Sequence, residues 1–231
     1  ETIRRDLEYL EKQGLLTRVY GGAVLNQKKG KEPLYEQREI KHYAEKAAIA
    51  QRAVELIEDG DVLGIDIGTT AREFAKALIG KKKVIVLTNS MPIAEILSED
   101  ENIRVIMLGG EVRKGEFSVS GFVAEQVMSR FNLDKYILGI GGLTVENGIT
   151  DYHIEETNLR RVMLERSQKV IGLTDYSKFG VIAMNEVCPL SRLDVLITDS
   201  RADRMIIGKM HTMKTEVIQI EAPGEQPDME Q

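Results

Sequence analysis

The amino-acid sequence predicts an α/β protein, a mainly parallel sheet with helices on both faces, preceded by a short helix and a hairpin. Three observations point there. Short β-rich runs alternate along the chain with helix-like stretches of about ten residues, the pattern of strand–helix–strand units. The runs are nearly continuous in apolar residues instead of alternating, which requires that both sheet faces be covered. Several of them end in glycine or hydroxylated residues just before a helix, where open α/β sheets place their ligands. At 231 residues and 42% hydrophobic, the chain can bury the core of one ordinary domain with a small appendage.

The first segment reads as a short amphipathic helix. Ile3, Leu7 and Leu10 share one face, Arg5, Glu8, Tyr9 and Lys12 fall on the other with Thr2 and Arg4 at its edges, and Gly14 is a stop. Leu15 to Tyr20 then alternates like a strand, Gly21-Gly22 permits a tight turn, and Ala23 to Leu25 returns. A helix followed by a hairpin has the order of the last helix and wing of a winged helix-turn-helix, so residues 1–27 are assigned to such a partial module. Residues 28–33 form a polar linker, with Pro33 marking where regular structure restarts. The main domain spans 34–220. It opens with a helical pattern from Leu34 to Ile57, and its expected strands are Asp61 to Asp66, Val84 to Thr88, Ile103 to Leu108, Tyr136 to Ile140, Val170 to Thr174 and Val195 to Thr198. The tail, 221–231, is rich in Pro, Glu and Gln and is expected to be disordered.

Charge divides the chain in the same place. Residues 1–31 hold seven Lys or Arg against four acids, a net +3 within a chain of −6, so the remainder carries −9. A basic end on an acidic body suits a small DNA-contacting module joined to a domain with another task. The longest apolar runs are far shorter than the roughly 20 residues of a membrane-spanning helix, and no signal peptide opens the chain, so a cytoplasmic protein with no membrane partner is expected. Cys188 is the sole cysteine and is expected to be a bland buried thiol; with three scattered histidines, no metal site is expected.

Ligand chemistry is expected at the strand ends. In Asp66-Ile67-Gly68-Thr69-Thr70, Gly68 lets the backbone turn, and the threonine hydroxyls and free amides at the helix start can receive an anion such as phosphate. Thr88-Asn89-Ser90 opens a second helix in the same way. Both turns serve equally well as ordinary helix N-caps. Gly110, Gly141 and Gly142 give close backbone approach at two further strand ends. The Asp175 to Gly180 turn combines a carboxylate, a hydroxyl and the Lys178 ammonium, groups suited to sugar hydroxyls or phosphate, or to a simple structural turn. Neither a dinucleotide fingerprint nor a P-loop occurs, and no cofactor is expected.

Thr2-Ile3-Arg4-Arg5-Asp6-Leu7, Gly14-Leu15-Leu16, Arg18 and Gly21-Gly22-Ala23 closely resemble the recognition helix and wing of the deoxyribose-operon repressor (DeoR) family. The body continues the resemblance in order, through Asp66 to Thr70, Thr88 to Ser90, Leu108 to Gly110, Gly139 to Gly142, Gly148 to Thr150, Glu156, Arg160-Arg161, Met163 and Asp175 to Gly180. The resemblance implies a bacterial repressor of a sugar-catabolism operon, a homodimer or homotetramer. Its C-terminal domain would be built like ribose-phosphate isomerase but serve as a sensor for a phosphorylated sugar. It differs in one respect: the family's earlier helices and N-cap serine do not precede Glu1, so this chain is expected to bind DNA poorly as it stands.

In a helix-turn-helix protein the recognition helix presents its N-terminal residues to base edges, so Thr2, Arg4 and Arg5 are the expected DNA contacts, with Arg18 in the wing on phosphate. In the sensor, Gly68, Thr69, Thr70 and Ser90 are expected to hold the phosphate, while Asp66, Lys178, Asp151 and Glu156 select sugar hydroxyls. The alternative is a sugar-phosphate isomerase in which Asp66, Asp151, Glu156 and Lys178 move a proton between adjacent carbons. An isomerase has no use for a basic helix and wing, which favours the regulator.

Overall fold

The computed structural model describes Leu7 and residues 16–19, 22–25 and 32–221. The first helix apart from Leu7, residues 28–31 of the linker and the tail after Glu221 lie outside the described residues. Strands β1 (Leu16–Val19) and β2 (Gly22–Leu25) form the expected antiparallel hairpin, with Leu16 opposite Leu25 and Val19 opposite Gly22.

The helical pattern from Leu34 to Ile57 forms two helices, α1 (Tyr35–Ile40) and α2 (Tyr43–Val54), where the sequence reads as one. His42 breaks it by adopting a left-handed conformation, φ 55° and ψ 37°. Two physical causes are visible. α1 buries none of its residues, so no core contact ties its direction to that of α2. The Lys46 ammonium donates to the carbonyls of Arg38 and Lys41, satisfying acceptors that a continuous helix would have used.

The six expected strands appear as β3 (Val62–Ile65), β4 (Val84–Thr88), β5 (Ile103–Met107), β8 (Leu133–Gly139), β11 (Ser167–Leu173) and β13 (Val195–Asp199). A seventh strand, β14 (Glu216–Ile220), joins beside β13; its mixed exposure as an edge strand explains why it lacks the apolar run that marks the others. All neighbours in this sheet are parallel, in the order β14-β13-β11-β8-β3-β4-β5. Two smaller units decorate its C-terminal side: a hairpin of β6 (Glu111–Arg113) and β7 (Ser118–Ser120), and an antiparallel sheet of β9 (Gly142–Thr144), β10 (Gly148–Asp151) and β12 (Asn185–Cys188).

Successive strand residues point into separate cores, as a period of two requires. Val86, Ile137, Ile171 and Ile197 pack with α2, α3 (Thr69–Leu78) and α4 (Met91–Leu97). Leu87, Leu138, Val170 and Leu196 pack with α5 (Phe122–Met128), α6 (Ile154–Glu165) and α7 (Arg204–Thr212) on the opposite face. α3 shows why these segments are helical: Ala71, Phe74, Ala75 and Leu78 fall at i, i+3, i+4 and i+7, and all four are buried.

The strand order places the site. After β3 the chain moves outward through β4 and β5, then returns to β8 on the other side of β3 and moves outward again. The connections leaving β3 and β8 therefore diverge, and a crevice opens between their C-terminal ends.

Candidate functional site

A cleft of about 760 Å³ occupies this switch point, within the range of small-molecule sites. Its floor is the Gly68-Thr69-Thr70 turn after β3 and the Gly139 to Gly141 segment ending β8. Asp151, Tyr152 and Arg160 form one wall, and the turn from Asp175 to Ile182 forms another. The remaining side comes from the start of the domain, through Glu32, Arg38, Lys41, His42 and Lys46.

The floor is built to receive an anion. Gly68 is the N-cap of α3 at φ +107°, a conformation that strains any residue with a Cβ. No side chain caps this helix start, which leaves its first amides without an intrahelical acceptor and the positive end of the helix dipole facing the cleft. Above it stand charged side chains. Arg38, Lys41, Lys46, Arg160 and Lys178 line the cleft against Glu32, Asp151 and Asp175, an excess of two positive charges in a chain whose net charge is −6. Among the described residues the Lys178 ammonium has no hydrogen-bond or ion-pair partner. Burial lowers its pKa, with Asp175 opposing the shift and Arg38 adding to it. Burial likewise brings Lys46 down to about 8.

Beneath the cleft lies a buried ion cluster. Asp66 is 1% exposed; its Oδ2 accepts from Arg160 Nε at 2.7 Å and from the Gly139 amide at 3.1 Å. Arg160 Nη1 lies 3.0 Å from Asp151 Oδ1; it is an ion-pair contact without hydrogen-bond alignment, since no buried hydrogen bond is made by Nη1. Burial raises the Asp66 carboxyl to about 6 even though Arg160 pulls the other way. Burial also opposes the Arg160 charge, but Asp151, Asp66 and Glu156 outweigh it and keep the guanidinium protonated.

The expected effector residues divide into two groups. Gly68, Thr69, Thr70, Gly141, Asp151, Asp175 and Lys178 meet in the cleft. Asp175 also caps its own turn by accepting from the Ser177 amide at 2.9 Å. Asp66, Thr88, Asn89, Ser90, Gly110, Gly142 and Glu156 do not line it. The Thr88-Asn89-Ser90 turn is covered by the β6–β7 hairpin: Asn89 Nδ2 donates to the Val119 carbonyl at 3.0 Å, the Val119 amide donates to the Asn89 carbonyl at 2.8 Å, and Ser90 Oγ accepts from the Ile93 amide as an N-cap. Gly110 and Gly142 serve close packing, since a Cβ would come within 2.3 Å of the Ser120 carbonyl oxygen and 2.5 Å of that of Val181, respectively. Glu156 is buried, accepting from Ser118 Oγ at 2.6 Å and pairing with Arg113 at 2.6 Å.

The chain's residues 41–200 match the model of the DeoR C-terminal sensor domain, and residues 1–29 match the DeoR-like helix-turn-helix domain. The chain belongs to the DeoR family. It is 34% identical to the HTH-type transcriptional regulator GolR of Listeria innocua, covering 90% of this chain and 82% of that one. It is 35% identical to the glycerol-3-phosphate regulon repressor of Escherichia coli, covering 87% and 79%, and 36% identical to a putative aga operon transcriptional repressor of Escherichia coli, covering 86% and 74%. Among solved structures, ribose 5-phosphate isomerase A from Neisseria gonorrhoeae aligns over 62% of this chain and 56% of its own, at 22% identity and a TM-score of 0.45.

This DeoR-family protein is thus a DNA-binding transcriptional regulator, and its relatives' names set aside the isomerase alternative. Thr2, Arg4 and Arg5 fall in the matched helix-turn-helix segment but outside the described residues; Arg18 sits in β1 opposite Ala23. Among the described residues no helix is long and apolar enough to cross a membrane, and no group of three or more His, Cys, Asp or Glu side chains could hold a metal ion. Cys188 is buried, its thiol pushed up to about 12 by burial, in keeping with an unreactive core residue.

Sequence reasoning missed two parts of the regulator's cleft. One is Arg160 as the group beneath it. The other is the arm from Glu32 to Lys46. A signal for the arm exists: Arg38, Lys41, His42 and Lys46 recur at spacings of three, one and four, a basic stripe on a helix-like segment.

Proposed function

We propose that this regulator is the repressor of an operon for using a sugar or related polyol, and that a phosphorylated sugar binding in the switch-point cleft releases it from its operator. The observation that carries this reading is the uncapped start of α3 at Gly68 facing a surplus of cations that includes Lys178, which has no ion-pair partner among the described residues. A phosphate dianion complements both features. The glycerol-3-phosphate regulon repressor named among the relatives agrees with that chemistry. Asp151 and Asp175 then face the rest of the ligand as acceptors for sugar hydroxyls, with Arg160 holding Asp151 in place.

On the DNA side, Thr2, Arg4 and Arg5 read base edges and Arg18 touches phosphate. Two copies present two such helices to paired half-sites, as a homodimer or within a homotetramer, and effector binding shifts the protein toward an arrangement that no longer fits their spacing. A thermal-shift screen with phosphorylated sugars and their unphosphorylated parents tests the effector assignment. A ligand at 100 times its Kd adds about 2.7 kcal/mol of apparent stability. Stabilisation by a phosphorylated compound but not by its parent, lost in Lys178→Ala, is expected; equal stabilisation by the parent refutes the phosphate assignment.

A further inference from the structure

The arm that closes the cleft carries an anion of its own. Glu32 lines the cleft and its two carboxylate oxygens go to different arginines, Oε1 to Arg38 Nη2 at 3.2 Å and Oε2 to Arg113 Nη2. Each arginine also has a second partner, Glu116 for Arg38 and Glu156, at 2.6 Å, for Arg113. Three carboxylates thus share two guanidiniums. The side chains of Glu116 and Glu156 are 5% and 1% exposed, whereas that of Glu32 is 14% exposed. Glu32 is therefore the surplus acid, and its departure leaves both arginines paired, avoiding the large cost of a stranded buried charge.

Its place in the chain gives this contact a consequence. The helix-turn-helix segment ends at residue 29, and Glu32, the first described residue after it, is already fastened to the sensor through Arg113. The α1 helix that follows has no fully buried residue, only the half-buried Tyr35, Arg38 and Glu39, and polar contacts tie it to the sensor: Arg38 to Glu116 and Glu39 to Arg72. A phosphate entering beside Lys178 and Arg38 meets the Glu32 charge at close range, and the two anions compete for the same cations.

We propose that Glu32 is a built-in competitor of the effector: its carboxylate occupies the Arg38 side of the cleft, and the anion of an incoming ligand expels it, loosening the arm that leads to the DNA-binding module. The inference rests on the reading of the cleft as an anion site. Because docking of Glu32 and binding of the anion exclude one another, the coupling is reciprocal, and whatever loosens the arm strengthens anion binding.

Isothermal titration of the full chain with inorganic phosphate, at fixed pH and ionic strength, is compared between the wild type, Glu32→Gln and Lys178→Ala. Hydrogen exchange over residues 32–40 is followed in the wild type with and without phosphate. The expected result is phosphate binding about tenfold tighter in Glu32→Gln, weaker in Lys178→Ala, and faster exchange over 32–40 in the wild type when phosphate is added. Unchanged or weaker binding in Glu32→Gln, or phosphate-induced slowing of exchange over 32–40, overturns the competition while Lys178→Ala still reports a working anion site. No phosphate binding in either the wild type or Glu32→Gln, or full binding in Lys178→Ala, overturns the anion site itself and the competition with it. The exchange measurement requires no variant, so a Glu32→Gln protein that fails to fold leaves the test intact.

Discussion

Replacing Arg160 by Met, which preserves much of the side chain's bulk, should destabilise the protein in a way that depends on pH. Arg160 is the group that opposes the burial of Asp66, whose pKa is raised from 3.8 to about 6. For a carboxyl raised on folding, the native state binds the extra proton; the associated stability is fully present below the unfolded pKa and is lost as pH rises through the folded one. At about pH 7.5 the wild type thus already bears roughly 3 kcal/mol from Asp66, using 1.36 kcal/mol per unit. Without Arg160 the folded pKa rises further. Protonation caps the cost of Asp66 at about 5 kcal/mol at that pH, so its share of the added destabilisation is at most about 2 kcal/mol. At about pH 5 Asp66 is protonated in both folded proteins, and this share falls to nearly zero. Urea unfolding of wild type and Arg160→Met at the two pH values measures the difference directly. The Asp66 share of the gap should fall by up to about 2 kcal/mol on going to the lower pH, beside the cost of lost packing and of the contact with Asp151. A gap of the same size at both values refutes the role of Arg160 in holding the buried Asp66 charge.

Other substitutions read out the two ends of the chain. Lys178→Ala removes a cation of the cleft and should weaken binding of a phosphorylated effector at least about tenfold, or roughly 1.4 kcal/mol, by calorimetry; undiminished affinity excludes Lys178 as a phosphate ligand. Gly68→Ala places a Cβ on a residue at φ +107°, and should lower stability by about 1 kcal/mol or more together with effector affinity; full stability would mean that the α3 turn does not require this geometry. In a protein that carries the whole helix-turn-helix domain, Arg5→Ala should weaken operator binding by about 1–3 kcal/mol while leaving effector affinity intact, and unchanged anisotropy titrations would remove Arg5 from the interface.

The sheet and the cleft floor are legible in the sequence because local chemistry decides them. Continuous apolar runs such as Val84 to Leu87, short and bounded by turn residues, fit strands covered on both faces, and a glycine followed by two threonines after such a run marks a helix start that either caps itself or receives an anion. Tertiary context decides the rest. Thr88-Asn89-Ser90 carries the same local signal as Gly68-Thr69-Thr70, yet the hairpin of β6 and β7 covers it and turns its polar groups into caps and cross-links. Asp66 reads as a ligand group for sugar hydroxyls until Arg160, 94 positions later, is brought against it. The arm reads only as a helical pattern, because nothing local shows that residues 32–46 fold back across strand ends that follow them in the chain. Edge strand β14 escapes for a simpler reason: its partial exposure removes the apolar signature.

The central claim, that an anion in the switch-point cleft controls DNA binding, is tested most directly by titrating an operator complex of the regulator with phosphorylated sugars and following fluorescence anisotropy. A phosphorylated sugar should release the wild-type protein where its unphosphorylated parent does not, and Lys178→Ala should remain bound until at least about tenfold more of that sugar is present. Release by the parent sugar at the same concentration, or equal sensitivity of Lys178→Ala and the wild type, would contradict it.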